Sequence, residues 1–416
     1  MRGIVDVAVI GAGPYGLSLA AHLRSRNVDY RIFGVPMGSW KENMPQGMLL
    51  KSYPWASNLS EANSQFTVKR FCGERGTPYH DSLMPLPLET FISYGEAFQE
   101  QFVPHVEHKL LMSLDPVASG FRARFDDGEV VRARRVVLAV GLSAFRSIPA
   151  VANGLPLEFV SHSADYGPLD VLDGKEIAVV GSGSSATDLS ALLHEREASV
   201  SLVARGRDVN FACTPRPRSL LQRVIAPTSG IGNGWTMSIC AKAPRLVHML
   251  GAERRTRLAN SRALGPLGGA LMRDRVIGKV PLRLGYALNE IGVVAGKVDL
   301  RLTSADGTKE MLRVDHVVFA TGYRTDLRRL GFLAPELVDH MRMTGTAPQL
   351  SRHYESSIPG LHFIGPAAAN SFGPVCRFVY GTHDPARHLA AYLPAVLGSR
   401  HVPAAKGLPI ASPVLQ

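Results

Sequence analysis

The sequence predicts an α/β fold, and three observations predict it. Two short apolar runs, Val5–Ile10 and Glu176–Val180, are each followed at once by a glycine-rich turn and a helical pattern. The turns are Gly11-Ala12-Gly13-Pro14-Tyr15-Gly16 and Gly181-Ser182-Gly183-Ser184-Ser185-Ala186. Each helical pattern leads to another strand-like run, Tyr30–Phe33 and Ser199–Val203, which closes a β-α-β unit of about 30 residues. Two later apolar runs, Arg135–Gly141 and Asp315–Tyr323, end in turns of small residues. Together these place two Rossmann-like dinucleotide-binding domains in one chain.

The bulk properties agree. A chain of 416 residues with 45% apolar and 19% charged residues has material for two or three folded domains and excludes a disordered polymer. No apolar run approaches the roughly 18–20 residues a membrane-spanning helix needs. Asp6 interrupts the first apolar run and a glycine turn follows it, unlike a secretory leader, so a cytoplasmic location is expected. Four cysteines (72, 213, 240 and 376) stand far apart, which argues against a disulfide framework or a metal site. Lys and Arg exceed Asp and Glu by 46 − 35 = +11. No basic stripe interleaved with aromatics accompanies that charge, so no nucleic-acid partner is expected, and phosphorylated cofactors account for part of it.

In the first turn each glycine has a separate physical task. Gly11 permits the tight bend, Gly13 lets the backbone approach a pyrophosphate, and Gly16 lets helix and strand pack closely. Pro14 and Tyr15 complete the loop, and the helix N-terminus behind it favours an anion. A carboxylate roughly 20 residues on usually holds the ribose. Gly34 ends the second strand here instead, which leaves that contact to backbone groups or to Ser39-Trp40-Lys41. The second turn repeats the pattern with Gly181, Gly183, Ser184 and Ser185. Its second strand is followed by Arg205 and Arg207, where an NAD-selective site would carry an acid. Two guanidinium groups suit a 2′-phosphate and favour NADPH over NADH; two solvated surface arginines are the alternative. Two nucleotide sites in one chain commonly pair a bound flavin, FAD, with a nicotinamide that delivers hydride.

These motifs resemble those of the single-component FAD- and NADPH-dependent monooxygenases, with their flavin-containing, N-hydroxylating and Baeyer–Villiger branches. The resemblance rests on Gly11–Gly16, on Gly181–Ala186, and on Asp315–Tyr323, which is similar to the D-x-x-x-F/L-A-T-G-Y motif of N-hydroxylating members. Phe159–Tyr166 adds an H-S-x-x-Y core. The longer fingerprint, with a glycine two residues after the phenylalanine, is not met, since Ser161 stands there. The resemblance implies a chain that runs FAD domain (1–165), NADPH domain (166–313) with a helical, substrate-covering insertion at about 211–295, FAD domain again (314–395), and a tail (396–416).

It also implies roles. Trp40 and Met48 would lie along the flavin, and Lys51 and Ser52 would hydrogen-bond its polar edge. Thr321 and Gly322 would form the return turn, and at the far end, after Gly365, backbone groups around Asn370–Gly373, Phe372 among them, would contact the flavin. His162, Arg324 and Asn370 would help shape the reactive site, with Arg377 a weaker candidate. His162 is equally readable as a packed histidine at a domain seam. The implied reaction reduces FAD with NADPH and adds O2 to give a flavin hydroperoxide. That species then oxygenates a small molecule, foremost an amine by N-hydroxylation. Baeyer–Villiger or sulfur oxygenation, dehydrogenase or oxidase activity without oxygen transfer, and a nucleotide-binding redox sensor or silent scaffold are the alternatives. Substrate and O2 are the expected partners, and a homo-oligomer is compatible with the sequence.

Overall fold

The computed structural model describes residues 3–82, 84–212, 218–261 and 269–398. Cys213, the Thr214–Pro217 stretch, Arg262 and nearly all of the expected tail lie outside the described residues.

Two parallel sheets organise the chain. In the first, Val5–Ile10 lies between Tyr30–Phe33 and Val130–Leu138, both parallel to it, with Val106–Glu107 beyond Tyr30–Phe33. Val130–Leu138 does two jobs. Its N-terminal half pairs antiparallel with Gly120–Phe125, which pairs in turn with Leu111–Val117. Its C-terminal half pairs parallel with Leu361–Phe363, which returns from the far end of the chain. Helix Pro14–Ser25 presses Leu17, Leu19 and Leu23 into the core and packs on the C-terminal helix His383–Gly398 through Leu389, Ala390 and Leu393. Each fully buried Leu of this kind contributes roughly 1.5–3 kcal/mol.

The second sheet is wholly parallel, in the order Leu282–Leu284, Ser199–Ala204, Glu176–Val180, His316–Phe319, Val160–His162. Successive side chains of a strand point to opposite faces, and both faces here are covered. Ile177, Val179 and Leu202 face Ala186, Leu189 and Leu193 of helix Ser184–Glu195. Ala178, Val203 and Phe319 face Val298, Leu300 and Leu302 of a three-stranded meander, Tyr286–Val294, Lys297–Ser304 and Lys309–Val314. Both units therefore follow one plan: β-α-β, a meander, then a strand ending at a glycine turn.

Three expected boundaries move. Val160–His162 pairs with His316–Phe319, so the first crossing lies between Leu138 and Val160 rather than at 165. For the same reason the return follows Phe319 rather than 313. Residues 282–294 are strands, one in the second sheet and one in the meander, so the helical segment is shorter than 211–295.

Candidate functional site

The two glycine turns have matching geometry. Gly11 and Gly181 have φ of +109° and +147°, and a Cβ on either would stand 2.3 Å from a backbone carbonyl, of Ala139 and Ala320 respectively. A Cβ on Gly16 would lie 1.8 Å from the Gly11 oxygen. These three positions are glycine because the protein itself fills the space. Gly13 and Gly183 differ, since a Cβ there would meet nothing within 4 Å. They border open space at the start of helices Pro14–Ser25 and Ser184–Glu195, neither of which has a side-chain cap or a first-turn acid. The free N–H groups and the open cradle fit a pyrophosphate in both places.

Gly34 has φ +129°, and its Cβ would stand 3.1 Å from the Ala12 nitrogen. Close approach of the strand end to the first turn explains the glycine where an acid was sought. Arg205 and Arg207 follow Ser199–Ala204 directly; both are exposed and make no ion pair among the described residues, as a phosphate contact requires.

Between the two units the crossing segments hold each other. Ser147 N–H donates to the Gly322 carbonyl at 2.9 Å, Arg324 N–H donates to Phe145 at 2.7 Å, and the Thr321 hydroxyl donates to the Ser147 carbonyl. His162 is fully buried. Its Nδ1 accepts from Ala164 N–H at 3.1 Å, which leaves Nε2 to donate to the Gly322 carbonyl at 3.0 Å. Both ring nitrogens are thus used in the neutral form, and burial lowers its pKa. His162 is a seam histidine, not one that faces a reacting atom. The Arg324 side chain is exposed and forms no ion pair among the described residues.

The segment from Gly38 to Ser52 bridges the units. Ser39 contacts Ser143 at 3.0 Å, Asn43 donates to the Ala164 carbonyl at 2.9 Å, and Gln46 N–H donates to Gly167 at 2.9 Å. Lys51 was expected at a flavin edge, but its Nζ is committed to Asp188 at 2.6 Å and to the Leu49 carbonyl at 2.9 Å. Asp188 lies on helix Ser184–Glu195 with its side chain 3% exposed; burial raises its pKa against the pull of Lys51. The pair is an inter-unit clamp that sequence reasoning missed. Ser52 is partly buried beside it. Met48 is partly buried against the first core, and Trp40 is too, meeting Phe91 edge-on at 4.6 Å.

At the far end, Tyr15 Oη donates to the carbonyls of Val375 (3.4 Å) and Phe378 (2.9 Å), which ties the first glycine turn to the C-terminal segment. Burial pushes its pKa well up. Gly365, with φ +74°, packs against the Tyr15 ring. Asn370 Nδ2 donates to the Thr344 carbonyl at 3.2 Å. The Phe372 ring is committed to its neighbours. It is stacked by Tyr354 (3.9 Å) and by His248 (4.8 Å), and the residue is 0% exposed. A small crevice lined by Gln46, Leu169, Leu192, Glu195 and Arg196 lies at the opposite end of helix Ser184–Glu195 from its glycine turn.

The three described cysteines, Cys72, Cys240 and Cys376, are buried and free, and burial raises each thiol pKa. No group of His, Cys, Asp and Glu among the described residues could hold a metal, and no described helix is long and apolar enough to cross a membrane.

Comparison with known proteins agrees with this architecture. The chain is similar to a probable indole-3-pyruvate monooxygenase, YUCCA9 of Arabidopsis thaliana, at 26% identity over 339 residues, 77% of this chain and 75% of the relative. It superposes on the FAD-bound cadaverine monooxygenase DfoA of Erwinia amylovora with a TM-score of 0.72 at 18% identity, covering 100% of this chain and 99% of that one. The ornithine N-hydroxylase KtzI of Kutzneria, solved with reduced FAD, NADP+ and L-ornithine, gives a TM-score of 0.74 at 17% identity over 95% of this chain and 100% of that one. Residues 5–370 match the family described as pyridine nucleotide-disulphide oxidoreductase. With its paired dinucleotide folds and homology to flavin monooxygenases, the chain is an oxidoreductase that belongs to the pyridine nucleotide-disulphide oxidoreductase family.

Proposed function

We propose that this protein is an FAD-dependent, NADPH-consuming monooxygenase whose substrate is a small amine. The observation that carries the reading is the pair of open glycine cradles, each on an uncapped helix, together with free Arg205 and Arg207 beside the second. That arrangement is a cofactor machine, and the described cysteines supply no exposed thiol pair to act as a disulfide reductase would. The likeness to DfoA and KtzI, whose names specify amine hydroxylation, supports the choice of substrate class.

Bound FAD supplies hydride acceptance from NADPH and the activation of O2. The chain does the rest by holding. The N–H groups at Gly13–Gly16 and Gly183–Ala186 would bind the two pyrophosphates, and Arg205 and Arg207 the 2′-phosphate. His162, locked as the Nε2–H tautomer on Gly322, fixes the return turn between the units. Lys51 and Asp188 hold the bridging segment against the second helix, which would keep the two cradles in one relative position.

The test is turnover with ^18O2 across short diamines and basic amino acids. The account expects substrate-stimulated NADPH oxidation and one labelled oxygen on nitrogen. Hydrogen peroxide formed in equal amount to NADPH consumed, with every amine, would make the protein an NADPH oxidase instead. The similarity to an indole-3-pyruvate monooxygenase over 77% of the chain favours a second reading, oxygenation of a 2-oxo acid, which the same labelling experiment reads out when a 2-oxo acid replaces the amine.

A further inference from the structure

The helical segment 218–261 is anchored on its inner side. Val247 packs at Gly373, the His248 ring stacks on Phe372 at 4.8 Å, and the Tyr380 ring fills the space a Cβ on Gly230 would need. Ser238, Cys240 and Ala241 of helix Trp235–Lys242 are buried, and so is Arg255 on helix Ala252–Ala259.

The side chains left outside are apolar. Among the described residues 22 large hydrophobic side chains stand exposed, and nine of them fall in this segment, so the exposure is concentrated rather than scattered. Trp235 and Ile239 lie one turn apart on their helix, 60% and 48% exposed, and Lys242 extends the same face. Leu246 and Met249 are 58% and 79% exposed, while Val247 beside them points inward. Helix Leu220–Ile225 has no buried residue, and Leu221 and Ile225 lie one turn apart on it.

The same segment holds most of the unbalanced charge. Between 218 and 261 the chain carries seven Lys and Arg against one acid, Glu253, a balance of 7 − 1 = +6 out of +11 for the whole sequence. Glu253 is taken by Arg257 at 2.8 Å, and Arg245 pairs with Asp384 of the C-terminal helix at 3.2 Å. Arg223, Lys242 and Arg254 are exposed and form no ion pair among the described residues. That balance argues against a second copy of this chain as the occupant, because a twofold contact would set +6 against +6. The occupant must be both apolar and anionic. A bilayer with anionic lipid is both, and it receives side chains from several short helices without the fitted shape a protein interface needs. An exposed indole among aliphatic side chains, rimmed by Lys and Arg, is the composition of a segment that lies in a membrane interface. No described helix is long and apolar enough to cross, so the contact is with the surface.

We propose that segment 218–261 docks the protein on an anionic lipid surface. Leu221, Ile225, Trp235 and Ile239 enter the apolar boundary, and Arg223, Lys242 and Arg254 meet the headgroups. The docking stands apart from the oxygenase reading and does not depend on it.

The experiment is sedimentation of the purified full chain with vesicles of phosphatidylcholine alone and of equal parts phosphatidylcholine and phosphatidylglycerol. The proposal expects binding to the anionic vesicles at least about tenfold tighter than to the neutral ones, weakened by salt and accompanied by a blue shift of tryptophan emission. A net charge of +11 by itself draws a protein to anionic vesicles, so the variants decide. Trp235→Ser/Ile239→Ser keeps every charge, and Arg223→Ser/Lys242→Ser/Arg254→Ser keeps every apolar side chain. Each should bind the anionic vesicles at least about tenfold more weakly. All five side chains are exposed, so both variants should keep the circular dichroism spectrum of the parent. Two results overturn the proposal: no binding to the anionic vesicles at low salt, or binding unchanged in either variant. In the first case, dimerisation in analytical ultracentrifugation that Trp235→Ser/Ile239→Ser abolishes would give the face to a second copy, and saturable binding of poly-L-glutamate would give it to an acidic protein.

Discussion

Lys51→Met isolates the clamp between the two nucleotide units. In the folded protein Lys51 Nζ lies 2.6 Å from the Asp188 carboxylate, and the two side chains are 12% and 3% exposed. Removal of the lysine leaves Asp188 buried without its partner. Arg275 also acts on Asp188, but it is held by two bonds of 2.6 Å to Glu195 and does not replace a direct pair. Breaking a buried pair in this way costs about 3–5 kcal/mol, while replacing both partners by apolar groups is often near neutral. Urea unfolding followed by circular dichroism, at matched FAD content, measures the loss. The double variant Lys51→Met/Asp188→Leu is expected to recover most of it. A pH series adds a sign. Burial already raises the Asp188 pKa, and loss of Lys51 raises it further, so the penalty is largest at alkaline pH and shrinks as Asp188 takes up a proton on acidification. A loss below about 1 kcal/mol for the single variant, or a double variant as unstable as the single, would refute the assignment of Lys51 to the clamp.

Gly183→Ala and Gly16→Ala should separate ligand space from packing space. The first places its Cβ in open space, so folding is kept while the Michaelis constant for NADPH rises at least about tenfold; the second drives a Cβ to 1.8 Å from the Gly11 oxygen, and thermal unfolding should show a destabilised or unfolded protein. Arg205→Ala/Arg207→Ala should lower the ratio of kcat/KM for NADPH over NADH by about 10–100-fold with little change for NADH, read by steady-state NADPH oxidation. Burial brings His22, His362 and His383 down to about 4 from the ordinary 6.5. The unfolded chain therefore binds more protons between those values, and unfolding free energy should fall as pH drops from 6.5 towards 4, by up to about 1.4 kcal/mol per pH unit for each histidine; a flat profile over that window would contradict it.

What the sequence discloses, and what it hides, follows from the range of the interactions. The glycine turns are legible because each role is local. Gly16 is required by the Gly11 oxygen in its own turn, and the positive φ of Gly11 belongs to the bend itself although the carbonyl it faces, of Ala139, is distant in sequence; the pattern strand, turn, helix is contiguous. The position of Arg205 and Arg207 is legible for the same reason, as they follow directly on the strand Ser199–Ala204. The unit boundaries are hidden because the runs Val160–His162 and His316–Phe319 name no sheet; only the pairing Val317↔Val160 across the chain decides it. Side-chain roles at the seam are hidden likewise. Lys51 and His162 have the residue types a flavin or substrate would use, but Asp188 and the Gly322 carbonyl, distant in sequence, already hold them. The stacking of the Phe372 ring on Tyr354 and His248 is hidden in the same way, because both partners are distant in sequence. The need of Asp188 for a cation becomes visible only with its burial, since a buried acid is paired.

The central claim is that the two cradles hold FAD and NADPH and work as a pair. Anaerobic mixing of the purified protein with NADPH, followed at the visible absorbance of the flavin, tests it without knowledge of the substrate. The account predicts about one FAD per chain, bleached by NADPH and much more slowly by NADH. A protein that neither retains nor rebinds FAD, or whose bound FAD NADPH leaves oxidised, would contradict it.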